Sequence, residues 1–197
     1  MVQLRVLAVI GSTNKDSVTG QVVRHVAERL RTAGCHLDIL DFAREPLALF
    51  NPDSAYAAEY YPALKARVEL ADVYLLGTPD YHGSISSALK NFFDHFWQEF
   101  AGKLFATVVS SFEKGLTVTD QIRTVARQCY AWSLPYGVSF SDKVDVKDGR
   151  IIGEQFQARL EMFAHDIKVY GTVLAEQRLK DLAGTEPTFM ARYRARQ

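Results

Sequence analysis

The sequence predicts an α/β fold, a parallel sheet of five strands with helices on both faces. Three observations predict it. Short apolar, β-prone runs alternate with longer segments of helical period about five times along the 197 residues. The first run, Leu4–Ile10, is almost continuously apolar, as expected of a strand covered on both faces. The composition is ordinary for a globular chain, with 48% hydrophobic and 23% charged residues, and the length suits one domain.

The elements follow in order. Leu4–Ile10 is the first strand and stops at Gly11. Ser17–Ala33 is a helix, because Val18, Val22, Val26 and Leu30 recur at four-residue spacing and Gly34 follows as a stop. Leu37–Leu40 is a short second strand. Phe42–Asp53 holds two prolines without a period and reads as a loop. Ala55–Leu70 is helical, interrupted by Pro62. Val73–Leu76 is the third strand, closed by Gly77-Thr78-Pro79. Ile85–Phe100 is an aromatic-rich helix, Leu104–Val109 the fourth strand, Thr119–Trp132 a helix and Tyr136–Phe140 the fifth strand. Val144–Ile152 carries an Asp148-Gly149 turn between two β-prone runs and reads as a small hairpin. Glu154–Leu174 is the last long helix. Residues 1–175 thus form the domain, and 176–197 a polar tail that is partly disordered or docks on a partner subunit.

Right-handed crossovers leave few topologies for such a chain, and five strands fit the flavodoxin-like three-layer sandwich. Its ligand site lies beyond the carboxyl ends of the strands. Attention therefore falls on the loops that leave strands one, three and four.

The first loop runs from Gly11 through Ser12, Thr13, Asn14 and Lys15 to Ser17, Val18 and Thr19 at a helix start. Free N–H groups and the helix dipole favour a phosphate there, and hydroxyls at Ser12, Ser17 and Thr19 can donate to it. An ordinary N-cap by Asp16 or Ser17 explains the same residues. The loop has neither the Gly-Lys-Ser/Thr of a P-loop nor the Gly-x-Gly-x-x-Gly of dinucleotide folds. The second loop is Pro79-Asp80-Tyr81-His82-Gly83-Ser84, then Ile85, Leu89, Lys90, Asn91 and Asp94. The third is Ser110-Ser111-Phe112-Glu113-Lys114-Gly115.

The second loop resembles the NAD(P)H-dependent FMN reductase family, which spans flavin, quinone, azo-dye and chromate reductases. That family's pattern is Pro-Glu-Tyr-Asn-Gly-Ser-Ile followed by Leu-Lys-Asn and an Asp. The chain departs from it at Asp80 and His82, at Asn14 in place of an Arg in the first loop, and at Phe112 in a run that is usually glycine-rich. The resemblance implies FMN as cofactor, NADPH or NADH as cosubstrate, and a small-molecule electron acceptor. It implies that Pro79 to Ser84 wrap the isoalloxazine ring, that Ser110 and Ser111 lie beside it, and that the aromatic helix sits in a homodimer or homotetramer interface. Two further readings stay open: a one-electron carrier, and an FMN-free binding module.

Twenty-three basic residues balance twenty-three acidic ones, which gives no electrostatic reason to expect nucleic acid or a membrane as partner and argues against a carrier with an acidic docking face. The two cysteines, Cys35 and Cys129, form no disulfide framework, and no histidine pair has metal-ligand spacing. Without a disulfide framework, a reduced cytoplasmic setting is expected, and no signal peptide is read at the start.

Overall fold

The computed structural model describes residues 3–196, so Met1, Val2 and Gln197, the ends of the two expected units, lie outside it. Parallel strands β1 (Arg5–Ile10), β2 (His36–Asp41), β3 (Val73–Pro79) and β4 (Leu104–Ser110) stand in the order β2-β1-β3-β4. The fifth position is split between β5 (Trp132–Ser133) and β6 (Val138–Phe140). The first pairs with the start of β4 and the second with its end. Pro135 lies in the break, where its missing N–H cannot feed the ladder. The strand expected over Tyr136–Phe140 is therefore shorter, and Trp132, expected in a helix, belongs to the sheet.

Alternate strand residues feed two cores. Val6, Ala8, Ile10, Leu75, Ala106 and Val108 pack under α1 (Val18–Thr32) and α5 (Glu154–Ala183). Leu7, Val9, Tyr74, Leu76, Phe105 and Val109 pack under α2 (Tyr61–Leu70), α3 (Ser87–Asp94) and α4 (Leu116–Gln128). This is the three-layer flavodoxin-like sandwich that the strand count predicted. A two-stranded hairpin, β7 (Val146–Lys147) and β8 (Arg150–Ile151), turns at Asp148-Gly149 as expected. No helix among the described residues is long and apolar enough to cross a membrane.

Besides α4, which runs Leu116–Gln128 rather than Thr119–Trp132, three helical segments differ from expectation. Pro62 does not interrupt a helix; it sits in the first turn of α2, where a missing N–H costs nothing, and a separate 3-10 turn covers Ala55–Ala57. The aromatic helix stops at Asp94 and resumes as a 3-10 turn over Gln98–Phe100. The break directs Phe92, Phe93, Phe96 and Phe100 into one core, all at 5% exposure or less, and leaves Trp97 outside. These four phenylalanines thus serve the core. Finally, α5 continues nine residues past Leu174, and the 3-10 segment Phe189–Arg196 folds back on the chain. Met190 and Leu182 are buried against Ala101, and Arg178 Nε donates to the Ala101 carbonyl at 3.0 Å.

Candidate functional site

Register brings the three loops together. Ile10 pairs with Gly77, so the chain leaves β1 beside the end of β3, and the Gly11 N–H donates to the Gly77 carbonyl at 2.7 Å. Pro79 pairs with Ser110, so β3 and β4 end side by side, and the Asp80 N–H donates to the Ser110 carbonyl at 2.8 Å. Loops one, two and three therefore stand in a row at the carboxyl edge of the sheet, where such folds place ligands.

In the first loop, Ser12 is buried, and Thr13 and Asn14 are exposed. The loop is held by its own side chains: Ser12 Oγ accepts from the Asn14 N–H at 3.3 Å, and Asn14 Oδ1 from the Asp16 N–H at 3.0 Å. Ser17 is the N-cap of α1, its Oγ accepting from the Gly20 N–H at 3.2 Å. Thr19 is buried, its methyl group toward Gly77. The N–H groups of Val18 and Thr19 have no acceptor among the described residues, and the first turn of α1 carries no acidic side chain. That donor set suits an anion.

The second loop is a two-residue turn. Tyr81 and Ser84 exchange both backbone hydrogen bonds, at 3.0 and 3.1 Å. Between them His82 and Gly83 both take left-handed backbones, with φ of 58° and 77°. That is the pattern of a type I′ turn, which favours glycine at its second position. Asp80 braces the turn and ties it to the third loop: its carboxylate accepts from the Gly83 N–H at 2.8 Å and from Ser111 Oγ at 2.7 Å. From Asp80 to Ser86, each backbone N–H finds an acceptor in the chain except that of His82. An unpaired N–H at an exposed turn is the donor this loop offers outward. Tyr81 presents an exposed ring beside it.

Two residues that sequence reasoning passed over hold the site. Ser86, buried, caps α3 through the Leu89 N–H at 3.2 Å, and its hydroxyl donates to the Gly11 carbonyl, joining the first loop to the second. Its signal was a second serine one residue beyond Ser84-Ile85, just before the helical run. Gln121 on α4 clamps the turn: Oε1 accepts from Ser84 Oγ at 3.1 Å and the Ile85 N–H at 3.2 Å, while Nε2 donates to the Gly83 carbonyl at 3.3 Å. Nothing in a sequence marks a contact across 36 residues. Gln121→Leu is expected to cost about 1–3 kcal/mol in urea unfolding and to speed amide exchange at Ile85. Unchanged exchange would reject the clamp.

The third loop brings Ser110 and Ser111 beside Asp80 and leaves Phe112 74% exposed. Elsewhere, Cys35 and Cys129 are free and buried, and burial pushes both thiols up, Cys129 to about 11, which fits inert packing residues. Among the described residues, no group of histidine, cysteine and carboxylate side chains is arranged to hold a metal.

The sequence and the fold are similar to those of known proteins. The FMN-dependent NADPH-azoreductase of Staphylococcus aureus (strain USA300) is 27% identical over 173 residues, which cover 82% of this chain and 92% of that protein. The flavoenzyme NAD(P)H:(acceptor) oxidoreductase FerB from Paracoccus denitrificans superposes with a TM-score of 0.71 at 20% identity, over 88% of this chain and 98% of that one. A flavodoxin from Streptococcus pneumoniae TIGR4 superposes with a TM-score of 0.59 at 18% identity, over 85% of this chain and 99% of that one. Both structures share the fold. The family of NADPH-dependent FMN reductases matches residues 4–145, most of the fold including all three loops. The chain therefore belongs to the NADPH-dependent FMN reductase family and is an NAD(P)H-dependent reductase with FMN as its cofactor.

Proposed function

We propose that this protein uses NAD(P)H to reduce a small-molecule acceptor, such as free flavin, a quinone, an azo compound or a metal oxyanion, at a single site. FMN supplies the chemistry when bound, accepting hydride from NAD(P)H and passing electrons to the acceptor. The residues supply position and electrostatics. The first turn of α1, with Ser12, Thr13, Asn14, Ser17, Val18 and the Thr19 N–H, receives the phosphate. Pro79 to Ser84 face the ring on one side, with Ser110 and Ser111 beside them. The observation that carries this reading is the unpaired His82 backbone N–H beside the exposed Tyr81, in a turn whose other backbone donors are used. A fixed donor there meets negative charge on the ring system without reorganising. No side chain is assigned acid or base duty, because hydride transfer needs none. Phe112 stands at the mouth of the site and filters acceptors by size.

A homodimer or homotetramer belongs to the same proposal. Support comes from exposed Trp97 and from a groove of about 770 Å³ between α3 and α4, lined by Ile85, Gln121 and Val125. A cytoplasmic setting, read from the free buried cysteines, completes it.

The purified protein should show flavin absorption and release FMN on denaturation; recovery of FAD alone would overturn the phosphate assignment. With NADPH and a quinone varied together, initial rates should give parallel double-reciprocal lines, because the two substrates take turns. Intersecting lines would refute the shared site and leave cofactor binding intact.

A further inference from the structure

The third loop has a second side. Ser111 and Phe112 also line a cleft of about 590 Å³ at the β5–β6 edge of the sheet, with walls from α4 and α5. Three cations reach it from three elements: Lys114 from the loop, Arg123 from α4 and Arg159 from α5. Asp120 and Asp145 share the lining, so cations exceed carboxylates by one.

Both guanidiniums are fixed by the break between β5 and β6. Arg123 donates to the Pro135 carbonyl and pairs with Asp120 at 3.4 Å; Arg159 donates to the Gly137 carbonyl at 3.2 Å. A guanidinium carries five N–H donors, so each keeps donors in reserve after these bonds. Asp145 is turned to its own loop, where it accepts from the Ser141 N–H at 2.8 Å. The Ser139 hydroxyl, on the same wall, is shielded from solvent and has no hydrogen-bond partner among the described residues. Aromatic surface comes from Tyr136 and from Phe112, over which the Lys143 ammonium sits 5.1 Å from the ring centre.

We propose that this cleft holds the phosphorylated adenosine half of NADPH, with the 2′-phosphate against Arg159 and Arg123. The inference rests on the function proposed above, because it needs the nicotinamide half to lie across Ser111, at the flavin. One loop then forms a wall of both compartments, so a single extended molecule reaches from one to the other. Planar guanidinium forks match phosphate oxygens, and an aromatic wall suits a purine.

The probe is adenosine 2′,5′-bisphosphate, titrated calorimetrically into the full-length holoprotein and used as an inhibitor. It should bind and compete with NADPH. Arg159→Ala should weaken it by about tenfold or more, the loss of one charge-assisted hydrogen bond. The same variant should raise the KM for NADPH relative to that for NADH by a similar factor, and Arg159→Lys should restore part of it. Arg159 is exposed, so its replacement is compatible with folding. Arg159→Glu, which reverses the charge, should abolish bisphosphate binding. No binding to the native protein, inhibition that is not competitive with NADPH, or native affinity in the alanine and glutamate variants would overturn the proposal. Purification without any flavin would instead refute the flavin site, while the bisphosphate titration would still decide the cleft.

Discussion

Gly77→Ala is expected to destabilise the protein by about 2–4 kcal/mol, lowering Tm by roughly 5–15 °C. A Cβ at Gly77 would lie 2.2 Å from Val23 Cγ2 and 3.2 Å from Thr19 Cγ2. Val23 is fully buried in α1 and, being β-branched, has essentially one χ1 rotamer in a helix, so it cannot turn aside. The helix itself has to lift from β3. Because Thr19 lies in the first turn of α1, the lift also moves the N–H groups proposed to receive the phosphate, and FMN affinity should fall with stability. Val23→Ala removes the obstructing methyl groups. The Gly77→Ala/Val23→Ala double variant should therefore be more stable than the sum of the single losses predicts. Additive losses in thermal or urea unfolding would show that the close approach of α1 to β3 is not what Gly77 provides.

Lys103→Met is expected to flatten the pH dependence of stability between pH 7 and 9. Lys103 is 2% exposed, and its Nζ donates to the carbonyls of Val68 and Glu69, both at 2.8 Å, in the last turn of α2. Burial, helped by the Arg178 guanidinium, pushes its pKa down to about 7, against the pull of Asp72, Glu69 and Glu99. A neutral amine still has two N–H groups for the two carbonyls, so both bonds survive deprotonation. The unfolded chain holds this proton up to its ordinary value of 10.5, whereas the folded chain releases it near 7. In that window the unfolded state binds more protons, and stability rises with pH by up to about 1.4 kcal/mol per unit. The advantage of the native protein over Lys103→Met should widen from pH 7 to 9. Above pH 9 the raised Cys129 thiol and Tyr74 phenol oppose the trend, since they ionise more readily in the unfolded chain. Parallel urea-midpoint profiles for the two proteins from pH 7 to 9 would reject the assignment.

The sequence alone determined the layer order and the positions of the three loops. Strand and helix periodicity depends on neighbours in the chain, and buried parallel strands such as Arg5–Ile10 and Val73–Pro79 are apolar whatever surrounds them. Element ends were less legible, because packing overrides propensity there. The aromatic helix breaks after Asp94 because Phe96 and Phe100 gain more from one shared core than from continued helix. The last helix runs on to Ala183 because Leu182 finds Ala101 and Met190. Only the tertiary structure decided what holds the loops. Ser86 on the Gly11 carbonyl, Asp80 on Ser111 and Gln121 on the turn join residues 31 to 75 positions apart, and such bonds leave no periodic trace. It decided as well that Ser17 caps its helix, since a hydroxyl in a loop is equally suited to a ligand and to its own backbone until the fold sets its direction.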